Sequence, residues 1–147
     1  MGLQVTFSCC SSAKGGVAIL FNNFYFQILR LYSDTNGRVI ICDIETEGKC
    51  ITLATLYAQN EDKPSFFQDF FDHLSDFQCD DLMIGGDFNL ILDLDKVKKG
   101  GRYKTHTRSV KTLKEYIAKL DLIDAWKVLN LNTLRYTWRR KKPSDSV

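Results

Sequence analysis

The sequence has no run of about 20 apolar residues, the length a membrane-spanning helix needs. It also has no basic stretch followed by an apolar core at its start, so nothing reads as a secretory signal. The opening Met1-Gly2-Leu3-Gln4-Val5-Thr6 fits the short myristoylation pattern, but that pattern often matches by chance, and an ordinary start leading into a strand is the better reading. No Cys-x-x-Cys spacing occurs among the five cysteines. With an odd count and no such pair, neither a disulfide framework nor a zinc site is indicated. Cys42 and Cys50 lie in apolar strand-like runs and read as small buried hydrophobes. An intracellular, reducing compartment fits this cysteine usage, the nucleus included. Internal repeats and low-complexity linkers are absent too, so the 147 residues read as one domain or most of one.

What is present is apolar and aromatic content, 44% and 12%, enough for a core and against overall disorder. Charge is unevenly distributed. Residues 1–95 carry 5 Lys and Arg against 14 Asp and Glu, whereas residues 96–142 carry 15 against 3. A net charge of +2 therefore hides an acidic part followed by a strongly basic one. Lysines that merely coat helices are one explanation; a surface for a polyanion is the other, and the density of charge favours it.

Hydrophobic periodicity gives the elements. Residues 16–20 are a short apolar run. Residues 24–32, 38–44 and 50–57 read as strands. Asn36-Gly37 marks one turn, and residues 45–49 with Gly48 mark a hairpin. Pro64 opens an amphipathic helix whose apolar face is Phe66, Phe67, Phe70, Phe71, Leu74 and Phe77. His73 on that helix receives no role. Residues 82–86 read as a buried strand and residues 87–104 as a loop. Thr107 or Ser109 is expected to cap a second helix bearing Val110, Leu113, Tyr116, Ile117 and Leu120. A short apolar element at 122–126 and a strand at 135–139 follow. This order of strands, helix, strand, helix, strand suits an α+β or layered α/β arrangement.

The chemistry concentrates in Gly85-Gly86-Asp87-Phe88-Asn89. If strand geometry continues past the glycines, Asp87 and Asn89 point to one face, because side chains alternate with period two. The glycines let the backbone turn or let a ligand approach. A carboxylate beside a neutral amide is what phosphodiester hydrolysis needs, one group for the attacking water and another for the phosphoryl oxygens. Gly-Asp-x-Asn equally suits an ordinary turn in which both side chains satisfy backbone groups.

A wider set of residues gives that spot a context. Gly16-Val17-Ala18-Ile19-Leu20, Leu56-Tyr57-Ala58-Gln59-Asn60, the aromatic helix, Gly86-Asp87-Phe88-Asn89 and Thr137-Trp138 occur in this order. The ordered set resembles the exonuclease–endonuclease–phosphatase family, and within it the DNA endonuclease domain of LINE-type (non-LTR) retrotransposons. The resemblance implies a two-sheet sandwich flanked by helices, four layers α-β-β-α. It implies that Asp87 orients or deprotonates the attacking water, Asn89 hydrogen-bonds the scissile phosphate and Tyr57 contacts a phosphate oxygen. Thr137 would contact nucleic acid, although plain strand packing explains it equally. Lys98, Lys99 and Arg102 after the catalytic-like loop, and Arg139 and Arg140 after the Thr-Trp strand, would hold the backbone of duplex DNA. The intact family domain uses Mg²⁺ and sits beside a reverse transcriptase domain in its polyprotein.

The sequence departs from the family pattern at three points. Gln59 stands where many members have proline. Residues 1–15 contain no Glu, Asp or Asn, so the family's metal-binding Glu has no counterpart there. No histidine follows His106, so the closing Ser-Asp-His motif is missing as well. The expectation is an incomplete domain lacking both ends, with no metal ligand set of its own, weak affinity for Mg²⁺ and little or no activity. A non-catalytic nucleic-acid-binding remnant is the alternative.

Overall fold

The computed structural model describes residues 4–8, 16–22, 25–77, 79–92 and 105–130. Its strands are β1 (Gln4–Ser8), β2 (Val17–Phe21), β3 (Gln27–Ser33), β4 (Val39–Thr46), β5 (Lys49–Tyr57) and β6 (Asp81–Asp87). Its helices are α1 (Pro64–Leu74), α2 (Thr107–Lys119) and the short α3 (Ala125–Leu129). β1 and β2 form an antiparallel pair, and the other four strands form a mixed sheet in the order β3-β4-β5-β6. The class is α+β.

The central hairpin follows from its turn. Thr46 pairs with Lys49 across a two-residue turn. Its residues Glu47 and Gly48 have φ of 51° and 72°, the left-handed pair that matches strand twist. The turn fixes the whole β4–β5 register and therefore which side chains share a face. On β4, Val39 and Ile41 join the core beneath the helices, while Cys42 and Ile44 join a second cluster with Phe21 of β2. β5 alternates likewise: Ala54 and Leu56 face the helices, and Ile51 and Leu53 pack on the second cluster. A carboxyl group also lies inside: the buried Asp43 accepts a hydrogen bond from the Thr52 hydroxyl at 2.6 Å. Its neighbour Cys42 is wholly buried, and that burial, aided by the Asp43 carboxylate, pushes the thiol up to about 11.

α1 crosses from the end of β5 to the start of β6, which runs parallel to β5. Four of its residues, Phe67, Phe70, Phe71 and Leu74, are buried against the sheet. Each such side chain contributes ~1.5–3 kcal/mol of burial. α2 lies beside α1, with Tyr116 stacked on Phe71 at 4.2 Å and Leu113 in the same core. His73 donates from Nδ1 to the Asp69 carbonyl and rests against the Tyr32 ring, a packing role.

Four expectations need correction. α2 is capped by neither Thr107 nor Ser109: His106 occupies the cap position, and its side chain makes no capping bond. The cap comes from the loop between β5 and α1, where Asp62 Oδ1 accepts from the Ser109 amide at 2.8 Å and the Ser109 hydroxyl at 2.9 Å. Those bonds, with further ones from Arg108, hold the Asp62 carboxyl down at about 2. β6 is not a buried strand. Last in the sheet order among the described residues, it buries neither face fully, and Met83 is 65% exposed. Cys50 is exposed rather than buried, and it is bonded to Cys79, joining the start of β5 to the residues just before β6. The apolar residues at 122–126 lead into α3, which leaves Ile123, Trp126 and Leu129 exposed. The strand expected at 135–139 lies outside the described residues.

Candidate active site

β5 and β6 end level. In their parallel register Tyr57 stands directly opposite Asp87. Facing residues of neighbouring strands project to the same side of a sheet. Both therefore stand on the face away from α1, at the carboxyl ends of adjacent strands, and both are exposed. The main chain continues the pairing one step further, with the Ala58 amide donating to the Asp87 carbonyl at 2.8 Å.

Gly86 makes the close approach possible. Its φ is +129°, and a Cβ there would lie 2.0 Å from the Leu56 carbonyl oxygen. Only glycine allows β6 to run this near β5 just before Asp87. Gly85, one residue earlier, would have nothing within 4 Å of an added Cβ. The two glycines are therefore not equivalent. Gly86 sets the approach of the strands, whereas Gly85 leaves an open spot on the exposed face.

Asp87 and Asn89 do come together, but not by strand alternation. β6 stops at Asp87, and Asn89 adopts φ 48° in the left-handed region. Asp87 Oδ1 accepts from the Asn89 amide at 3.0 Å, an Asx turn. Asn89 Nδ2 in turn donates to the Ala58 carbonyl at 2.6 Å. The expected continuation of the strand is thus replaced by a turn whose two polar side chains brace the loop after β5 to the loop after β6. The remaining Asp87 oxygen and the second Nδ2 hydrogen have no bond among the described residues.

Arg38 is a residue of this site that sequence reasoning missed. The Tyr57 amide donates to the Arg38 carbonyl at 2.8 Å, so Arg38 flanks Tyr57 on the side opposite Asp87. Its guanidinium lies 5.3 Å from the Tyr57 ring centroid and donates to the Tyr57 carbonyl at 3.1 Å. A signal was present. Counting outward from the Glu47-Gly48 turn brings Arg38 opposite Tyr57.

The row Arg38, Tyr57, Asp87 with Asn89 behind it offers a cation, a phenol, a carboxylate and an amide within one sheet end. That set can bind an anion and orient a water molecule. Among the described residues no three His, Cys, Asp or Glu side chains gather to hold a metal ion. A single exposed carboxylate with one oxygen already in a turn does not make a Mg²⁺ site, which ordinarily takes one or two carboxylates plus waters and substrate phosphates. Thr137, Lys98, Lys99, Arg102, Arg139 and Arg140 lie outside the described residues.

No protein-family model matches the chain. It is 28% identical over 141 residues to the Transposon TX1 uncharacterized 149 kDa protein of Xenopus laevis. The match takes in 93% of this chain and 11% of that protein, so the chain spans a small part of its relative. No helix among the described residues is long and apolar enough to cross a membrane.

Proposed function

We propose that this chain is the central part of a DNA endonuclease domain of the exonuclease–endonuclease–phosphatase family, carried by a LINE-type retrotransposon. The observation that carries the proposal is the direct pairing of Tyr57 with Asp87 at the ends of parallel strands, with Asn89 tied into the same turn. The likeness to a transposon protein over nearly the whole chain supports it. On this reading β1 and β2 belong to the second sheet of a sandwich. The packing of Phe21 on Cys42 and Ile44 is the contact that favours it.

Each residue then has a stated task. Asp87 accepts a hydrogen bond from the attacking water and aims its lone pair at phosphorus. The Tyr57 hydroxyl donates to a non-bridging phosphate oxygen. Asn89 donates its second amide hydrogen to the same phosphate while keeping its bond to Ala58. The basic residues 96–142 hold the flanking backbone, which makes binding to DNA fall with salt. The parent polyprotein would join a reverse transcriptase; with Cys50 and Cys79 bonded, intracellular work follows from the proposed DNA substrate and not from the cysteines.

Among the described residues the donor set does not fit a resident Mg²⁺, so no step is assigned to the ion, and on this reading the chain by itself binds duplex DNA while cleaving it weakly or not at all. The test is a nicking assay on supercoiled plasmid with added Mg²⁺, run beside DNA binding across salt concentrations. The expected result is salt-dependent binding with nicking at background. Robust nicking lost in Asp87→Ala would keep the site and overturn the inactivity. Absence of any salt-dependent binding to duplex DNA would overturn the nucleic-acid reading itself.

A further inference from the structure

We infer that Arg38 is the phosphate-binding cation of this site, a role that rests on the endonuclease reading and extends it to a residue outside the Asp-Asn-Tyr set. The argument begins with charge. Tyr57 and Asp87 end adjacent strands, Asp87 carries its own carboxylate, and Asp34 lies in the turn that holds Arg38. A phosphodiester entering such a rim meets like charge, and like charges in close quarters are costly. Among the described residues, Arg38 is a cation that the sheet brings beside Tyr57.

It is also held there. The Arg38 amide donates to Asp34 Oδ1 at 2.6 Å, and the Val39 amide donates to the same oxygen at 2.8 Å. The Asn36 amide donates to Asp34 Oδ2 at 3.2 Å, closing the turn before β4. With its carbonyl bonded to the Tyr57 amide, the Arg38 backbone is fixed on both sides. The side chain uses one N–H on the Tyr57 carbonyl and lies over the Tyr57 ring. A guanidinium carries five N–H donors, so this arrangement orients the plane without consuming the fork that recognises phosphate. A cation fixed in advance beside a phenol and a carboxylate loses little freedom when the anion arrives.

The experiment measures binding of a fluorescent DNA duplex by anisotropy from low to moderate salt for wild type, R38Q and R38K. If Arg38 meets a phosphate, R38Q lowers the slope of log affinity against log salt by about 0.9, the value for one contact in duplex DNA. R38K keeps the charge and so keeps the slope, while losing affinity because lysine cannot donate as a fork. A purely packing role would lower the melting temperature of R38Q and leave the slope unchanged. An unchanged slope in R38Q, against a clear slope in wild type, overturns the inference and leaves the endonuclease reading standing. A wild-type chain with no slope at all overturns that reading instead. Phenylglyoxal labelling of the wild-type chain, read by mass spectrometry, covers the case in which R38Q fails to fold. DNA should protect Arg38, and equal labelling with and without DNA overturns the assignment.

Discussion

Replacing Gly86 with alanine tests the idea that the approach of two strands, rather than a need for flexibility, explains the glycine pair before Asp87. The added Cβ would sit 2.0 Å from the Leu56 carbonyl oxygen, 2.8 Å from its nitrogen and 3.0 Å from its carbonyl carbon. All three are backbone atoms, so no side chain can swing aside. Relief requires β6 to retreat from β5 by more than about an ångström. Parallel strands sit ~4.8 Å apart, and a backbone hydrogen bond of ~2.9 Å does not survive such a retreat. Two or three ladder bonds around Tyr57 and Asp87 would be lost, at ~1 kcal/mol each. Holding alanine at φ +129° adds ~1–3 kcal/mol of strain. The total of ~3–6 kcal/mol is a large share of the ~5–15 kcal/mol that stabilises an ordinary domain. Gly85→Ala is the internal control. Its Cβ meets nothing within 4 Å, so the change should be neutral or stabilise by ~0.4–1 kcal/mol through the unfolded chain. Urea unfolding followed by circular dichroism would measure both. Equal costs for the two variants, or a cost below about 1 kcal/mol for Gly86→Ala, would refute the close-approach argument.

Two other perturbations test the frame around the site. The Asp62 carboxyl titrates in the folded chain at about 2, below its ordinary 3.8, so its contribution is complete above about 4 and vanishes as pH falls through 2. Thermal melts between pH 5 and 2 should therefore drop more steeply for wild type than for Asp62→Ala, whose α2 has lost its cap throughout; parallel curves would refute the cap. Reducing the Cys50–Cys79 bond reopens a loop of sequence separation 29. The loop-closure model puts the effect at ~3.5 kcal/mol. Dithiothreitol should lower the melting temperature of wild type and leave Cys50→Ser unaffected, with alkylation and mass spectrometry reporting the thiols. A wild-type melt indifferent to the reductant would refute that role.

Local signals carried much of the architecture in the sequence. The phenylalanine spacing located α1, and Gly48 located the hairpin, because both depend on neighbours a few residues away. Hairpin and helix together put Tyr57 and the end of β6 in one region. What the sequence left hidden was long-range or specific to one backbone angle. The cap of α2 comes from Asp62, more than forty residues upstream, and displaced the expected Ser109 because the loop carboxylate can accept from the Ser109 amide and hydroxyl at once. The partnership of Cys50 with Cys79 depends on β5 and β6 starting side by side, which spacing alone does not reveal. Asn89 turning left-handed broke the period-two premise, yet the Asx bond still joined it to Asp87. Arg38 was overlooked because a lone arginine after Asn-Gly carries no motif. Its significance emerges only when the hairpin is counted outward to Tyr57.

Since β5 and β6 run in the same direction and finish level, the segments leaving them depart from one pole of the molecule. An antiparallel neighbour would have sent one of the two exits to the far end. Segments starting at Ala58 and at Phe88 therefore set out side by side, and the Asn89 amide bonds one to the other at the Ala58 carbonyl. Both also feed the core beneath them: Ala58 is buried with Phe67, Phe70 and Phe71, and Phe88, Leu90 and Leu92 pack on the same cluster. A change in either segment is therefore felt at the sheet end and in the packing of sheet on helix alike.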